Sequence, residues 1–356
     1  MTEGSATVTM PETRSEEDRL LRRIWRVVAL CRAVDERLWK LSRQGRSSFV
    51  LTARGHEVAQ VASTAAMRLG VDSAWPYYRD MGVAFALGIT PYELLLGSMG
   101  RAEDPHTGGR QLTMHLASPE RKLGSISSVI ADHIPHAVGA AYAAWVRRED
   151  SVALCWFGDG ATSAGATHEA MNLAAARRLP VVFICENNGL AISVPLHLQT
   201  SLTSIADRAK GYTIPGVRVD GTDAIAVNDA TREAVERARS GAGPSLIEAV
   251  VPRILAHSSQ DDDAYRDQAE LAAAQARDPL PRLERELIGR GVLTAQEARA
   301  EHERFDRMVL ADADRAWSRP KPEGSRFNRW LFAGDEPHQA ASDIGLGPLP
   351  GGVFDD

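Results

Sequence analysis

The sequence has almost no cysteine. Cys31, Cys155 and Cys185 are the only three in 356 residues, and no two stand at a metal-binding or redox spacing. Two of them fall inside apolar runs, so all three read as small core hydrophobes in a reducing compartment. No run of about 20 apolar residues is present, which argues against a membrane-spanning helix. Positive charge is not in excess either: 41 Lys and Arg face 47 Asp and Glu, for a net charge of −6. That leaves no electrostatic footprint for nucleic acid. Glu3, Glu12, Glu16, Glu17 and Asp18 precede the first apolar run, the wrong pattern for a signal peptide. The expectation is a cytoplasmic protein with neither membrane nor nucleic-acid partners. No internal repeat is visible, and 44% hydrophobic residues supply ample core for one large α/β domain or two smaller ones.

What is present centres on residues 151–190. VALCWF (152–157) and VVFIC (181–185) are short apolar runs rich in β-branched and aromatic residues, the mark of fully buried strands. Between them, Gly165 to Arg178 places Ala166, Ala170, Leu173, Ala174 and Arg177 on one helical face. Strand, helix and strand in so short a span make a right-handed crossover, so the strands run parallel. Gly158-Asp159-Gly160 and Asn187-Asn188-Gly189 therefore emerge at the same carboxyl edge, where open α/β sheets bind ligands. One carboxylate and one amide oxygen are too sparse for an all-protein Ca²⁺ cage. They suit Mg²⁺, which takes further ligands from water and a bound phosphate. Either tripeptide alone is as readily a plain turn; their pairing on consecutive strands carries the signal.

Elsewhere, 1–15 reads as a flexible tail and 16–43 as a long amphipathic helix stopped near Gly45. A second helix is expected from Gly55 to Leu69, then an aromatic loop through Tyr78 and Arg79. Thr90-Pro91-Tyr92-Glu93 is a capping box opening a helix through Met99. Residues 100–129 form an irregular loop of the length usually kept for function. An alanine-rich helix covers 130–148, its small residues suited to an interface. VRVDG (217–221) and SLIEAVV (245–251) extend the sheet around a helix at 223–240. The segment 252–266 borders the ligand crevice, helices follow at 280–290 and 294–318, and 319–356 is a C-terminal arm or disordered tail.

The Gly-Asp-Gly, spacer (161–186), Asn-Asn pattern resembles the thiamine diphosphate motif. With Gly109-Arg110-Gln111, AVGAAYAA, the His257 loop bearing Asp261-Asp262 before Ala264-Tyr265-Arg266, and Leu331-Phe332, the chain is similar to a wider family. This is the alpha subunit of the decarboxylase component of 2-oxoacid dehydrogenase complexes, the branched-chain type most of all. The pyruvate and acetoin types are close, and Glu186-Asn187-Asn188 is more usual in the pyruvate type.

The resemblance implies a thiamine diphosphate-binding α/β fold over 16–318, its mainly parallel sheet flanked by helices, with a helical C-terminal extension. It implies thiamine diphosphate and Mg²⁺ as cofactors, the metal held by Asp159, Asn188 and the Leu190 carbonyl. Arg79, with Tyr78 beside it, would grip the diphosphate; Gly160, Ala161 and Arg253 would also contact the cofactor. Ser128 and the Ile130 backbone would hold the aminopyrimidine. Phe49, Tyr78 and Ser128 would face the 2-oxoacid, and His257 would donate or relay protons near the reacting carbon. Glu186 stands where branched-chain relatives carry an arginine, which removes one diphosphate contact. The expected activity is oxidative decarboxylation with reductive acylation of a lipoyl group on an acyltransferase. The glutamate that activates the cofactor belongs to a beta subunit in this family, so the expected assembly is two alpha and two beta chains.

Other readings explain less. Gly158-Asp159-Gly160-Ala161-Thr162-Ser163 lacks the third glycine of a nicotinamide fingerprint. A split transketolase-like half would lack the His257 loop, and a purely structural subunit would have no use for Asp159, Asn188, Arg79 and His257 together.

Overall fold

The computed structural model describes residues 15–326. Most of the two expected tails, and Leu331-Phe332, lie outside that span. In chain order the strands are β1 (Ser73–Trp75), β2 (Ala153–Gly158), β3 (Val181–Asn187), a small antiparallel pair β4 (Leu190–Ala191) and β5 (Val194–Pro195), then β6 (Gly216–Asp220) and β7 (Ser245–Val250). Five of them form one all-parallel sheet in the order β1-β2-β3-β7-β6. The expected α/β class with a parallel sheet is what the chain adopts.

Burial on both faces explains the unbroken apolar runs. Leu154, Trp156, Val182 and Ile184 point into one core, whereas Cys155, Phe157, Phe183 and Cys185 point into another. The first core is covered by α1 (Glu16–Arg43), α2 (Glu57–Thr64), α3 (Met81–Ala86) and α4 (Pro91–Ser98). The second lies beneath α5 (His133–Arg147) and α6 (Gly165–Arg177). After the short α7 (Leu196–Gln199), α8 (Ala224–Arg239) returns to the first face. It is joined there by α10 (Pro279–Gly289) and α11 (Ala295–Trp317), which follow the exposed α9 (Gln268–Ala276).

Local chemistry sets the helix ends. Ser15 caps α1, and Thr90 and Thr294 both close full capping boxes at α4 and α11. Several expectations need correction. The second helix ends at Thr64 rather than Leu69, because the chain turns through 65–67 with short-range backbone bonds. The alanine-rich helix starts at His133, since Ala131 takes a left-handed φ of 69° incompatible with a helix interior. On α6 the buried face is Thr167, Ala170, Met171 and Ala174; Leu173 is exposed. β1, α3, the β4–β5 pair, α7 and α9 had no counterpart in the sequence reading. All are short, and β1 and α3 adjoin the aromatic loop that masked them.

The first face is pinned by a buried ion triad. Arg32 on α1 donates to both oxygens of Asp278 (2.9 and 2.8 Å) and, through Nε, to Glu57 Oε1 at 2.7 Å. The other Glu57 oxygen accepts from Gly55 N at 2.6 Å, fixing the entry to α2. Burial opposes the guanidinium charge, but the two carboxylates outweigh it and hold the Arg32 pKa above its usual value. Arg32→Met strands both acids. Unfolding in urea should show a loss of about 3–5 kcal/mol, with the midpoint partly restored when Glu57→Gln is added.

Candidate active site

The register of β2 on β3 pairs Gly158 with Glu186. The residues after each strand therefore open onto one cavity of about 200 Å³ at the carboxyl edge. Asp159, Gly160 and Ala161 line it from β2, and Asn188, Leu190, Ala191 and Ile192 from β3. Tyr78 and Arg79 close one side, Ile130 and His133 a second, and His257 the mouth.

Asp159 is 1% exposed. Its Oδ2 accepts from Gln199 Nε2 at 2.8 Å, while its Oδ1 is buried with no partner. Burial pushes this carboxyl's pKa up, opposed mainly by the Gln199 hydrogen bond. A buried carboxylate oxygen without a donor is costly unless something cationic meets it. Asn188 Oδ1 accepts from Leu190 N at 3.0 Å and keeps a second lone pair. Gly160 fits because a Cβ there would stand 2.8 Å from the Ala191 Cβ, so a side chain would force the β4 strand away. Among the described residues no group of three or more His, Cys, Asp or Glu is placed to hold a metal by itself. A cation between Asp159 and Asn188 would thus draw its remaining ligands from backbone, water and phosphate, the donor set that suits Mg²⁺.

Arg79 donates to the Thr52 carbonyl at 2.7 Å and to His257 Nδ1 at 3.2 Å, and its guanidinium lies 5.8 Å from the Tyr78 ring. A guanidinium only donates, so His257 Nδ1 is the acceptor and its ring proton sits on Nε2. Burial, then the charges of Arg79 and Arg253, lower the His257 pKa to about 4. At neutral pH this histidine is uncharged and offers an N–H.

Not every expected site residue reaches the cavity. Arg253 is buried and committed to the Ile192 carbonyl (2.7 Å), the Tyr265 hydroxyl (2.7 Å) and Asp263 (3.4 Å), so it supports the rim from behind. Ser128 is exposed and bonded to His115 Nε2. Phe49 is half-buried and apart from the lining. Conversely, sequence reasoning missed Gln199, which carries no motif, and His133. The latter donates through Nε2 to the Trp156 carbonyl at 2.7 Å and leaves Nδ1 unpaired at the cavity.

Glu186 is wholly buried behind the cavity, with His56 Nδ1 at 2.6 Å, Gln60 Nε2 at 3.1 Å and the Tyr77 hydroxyl at 3.2 Å from its Oε2. Its side chain is committed to the interior and does not line the cavity.

Fold and site together place the chain among α/β enzymes whose cofactor pocket sits at the carboxyl edge of a parallel sheet. Residues 25–325 match the dehydrogenase E1 component family, and the chain belongs to that family. It is 44% identical over 258 residues to the 2-oxoisovalerate dehydrogenase subunit alpha of Bacillus subtilis, covering 72% of this chain and 78% of the relative. Against the 3-methyl-2-oxobutanoate dehydrogenase subunit alpha of Mycobacterium tuberculosis it is 39% identical, covering 87% and 84%. With the human mitochondrial 2-oxoisovalerate dehydrogenase subunit alpha it shares 38% identity, over 84% and 67%. The family is thiamine diphosphate-dependent and its activity is that of a 2-oxoacid dehydrogenase. An alpha subunit of this component works with a beta subunit. No helix among the described residues is long and apolar enough to cross a membrane.

The depressed His257 pKa gives a pH prediction. Protonation is opposed by Arg79, so an anion bound beside Arg79 should raise the value from about 4 toward its ordinary range. NMR titration of the histidine ring with and without inorganic pyrophosphate reads this directly. An unmoved midpoint would place the anion elsewhere.

Proposed function

We propose that this chain is the alpha subunit of a branched-chain 2-oxoacid decarboxylase component, holding thiamine diphosphate and Mg²⁺ in the cavity at the β2–β3 edge. The observation that carries the reading is the buried, unpartnered Oδ1 of Asp159 in a cavity shared with Asn188 and Arg79. Thiamine diphosphate, when bound, supplies the nucleophile that adds to a 2-oxo carbonyl and the electron sink for loss of CO₂. Asp159 Oδ1, Asn188 Oδ1 and the Leu190 carbonyl would hold the cation. Arg79 would set the phosphate end by charge-assisted hydrogen bonds. Neutral His257 would offer its Nε2–H to an oxygen or sulfur atom at the cavity mouth, and once an anion offsets Arg79 it could carry a second proton.

A beta subunit fits the surface that the chain leaves open. Val129 and Ile130, on the cavity side of the loop before α5, are 66% and 52% exposed. Of the α5 alanines, Ala137, Ala141 and Ala144 are buried, the first two in the second core, while Ala140 and Ala143 are half-buried. Outward stand Tyr142, Trp145 and Val146, an aromatic and apolar stripe. The reading is an assembly of two alpha and two beta chains, acylating the lipoyl group of an acyltransferase.

Asp159 separates binding from stability. Asp159→Asn should abolish Mg²⁺-dependent thiamine diphosphate binding by calorimetry. In metal-free protein it should raise stability by about 1–3 kcal/mol, because an unpaired buried charge is gone. Retained cofactor affinity would sink the assignment.

Placing acid on the stripe with Tyr142→Asp and Trp145→Asp should leave the alpha chain folded and prevent it from sedimenting with its beta subunit. Co-sedimentation at wild-type affinity would move the interface elsewhere.

Substrate choice follows the apolar lining and the named relatives. One methylene in an apolar pocket is worth about 1–3 kcal/mol, or about 10–200-fold, and 2-oxoisovalerate carries two more carbons than pyruvate, so its kcat/KM should be the higher by at least that single-methylene factor. The reverse order in a competition assay would assign the pyruvate branch.

A further inference from the structure

Asn188 is symmetrical in shape but not in chemistry: turned by half a rotation, it would present N–H groups where a cation needs an oxygen. Something must fix its sense. On the near side Leu190 N donates to Oδ1 at 3.0 Å. On the far side Nδ2 lies 3.2 Å from His56 Nε2. A donor can face that nitrogen only if it carries no proton, so the ring proton must sit on Nδ1, where Glu186 Oε2 receives it at 2.6 Å.

The chain of polarity can be followed further back. Gly82 N, a backbone donor with no alternative sense, gives to Gln60 Oε1 at 3.0 Å. That fixes Gln60 with its Nε2 toward Glu186 Oε2, at 3.1 Å, and Asp80 Oδ1, at 3.2 Å. Gly82 must be glycine for this approach, because a Cβ would lie 2.8 Å from Gln60 Oε1. Burial, then the neighbouring Glu186 charge, push the Asp80 carboxyl well up. His56, Glu186, Gln60 and Asp80 are all fully buried, and none lines the cavity.

We propose that His56, held as its Nδ1–H tautomer by Glu186, is a positioning residue that locks the Asn188 amide with its oxygen toward the cation site. The proposal deepens the function proposed above and rests on it for the cation. It also gives Glu186 a role: its carboxyl oxygen, 2.6 Å from His56 Nδ1, sets the His56 tautomer from behind the site. His56 and Glu186 touch neither cofactor nor substrate and act only through Asn188.

The test uses the alpha–beta complex with saturating thiamine diphosphate and Mn²⁺ as the cation, free Mn²⁺ being counted by electron paramagnetic resonance. His56→Leu removes the acceptor facing Asn188 and should weaken Mn²⁺ binding by about 10–100-fold. In His56→Gln the side-chain carbonyl can accept from Asn188 while the amide donates to Glu186, so affinity should return toward wild type. A packing role would instead lower the melting midpoint of both variants and leave Mn²⁺ affinity alone, overturning the proposal. Failure of the wild-type complex to bind Mn²⁺ with thiamine diphosphate would overturn the proposed function itself. A second measurement does not depend on the folding of His56→Leu. In ¹⁵N-histidine-labelled wild type, the signals missing from His56→Gln should report a protonated Nδ1 and a bare Nε2. A protonated Nε2 would overturn the proposal.

Discussion

The parallel pairing of β2 with β3 is the constraint on which the rest depends. Its register sets Gly158 beside Glu186, and a strand cannot slip by one residue without turning its whole apolar set to the opposite face. Phe157 and Cys185 are locked in one core while Trp156 and Ile184 are locked in the other. The turn carrying Asp159 and the turn carrying Asn188 therefore leave the sheet side by side. Everything else at the site approaches this fixed edge: the 77–79 loop after β1, the 127–133 segment before α5, and the His257 loop after β7.

Around that edge the molecule concentrates charge that its own chain does not neutralise. Asp159 Oδ1 has no donor, and behind the cavity burial and the neighbouring Glu186 push the Asp80 carboxyl well up. Several buried ions elsewhere are paired, as in the Arg32, Glu57 and Asp278 triad and in Arg239 with Asp72 at 2.8 Å. The unpartnered Oδ1 of Asp159 places a local instability in the cavity, where a cationic ligand can relieve it.

Much of this could be read from the residues. Long signals were clear: the 28-residue α1, the capping boxes at Thr90 and Thr294, and the apolar runs of β2 and β3 all rest on local patterns that tertiary contacts reinforce. The shared edge of Asp159 and Asn188 was legible because a turn after a buried parallel strand has one place to go, whereas Arg79 and Tyr78 came only from the family resemblance. What stayed hidden depends on contacts between distant segments. His56 and Glu186 lie 130 positions apart, and nothing local marks either as the other's partner. Gln199 reaches Asp159 from α7, a helix of four residues too short to leave a periodic trace. Arg253 and Phe49 sit in suitable segments, but a side chain's direction is set by packing, and these two turn to the rim and away from the cavity.

The open side of the cavity completes the argument. Buried polar groups such as Arg32, Glu186 and Glu248 find partners on neighbouring elements. Yet along the 127–130 segment the chain exposes Val129 and Ile130 beside the cavity and continues outward into the Tyr142 and Trp145 face of α5. Both Val129 and Ile130 line the cavity yet remain exposed, so this chain does not wall off that side. A reaction that expels CO₂ and must keep water from a nucleophilic carbon needs that wall. In the proposed reading, that is the side on which a second subunit would add the cover, while this chain would fix the charged end of the cofactor at the β2–β3 edge, whose register is set by two cores at once.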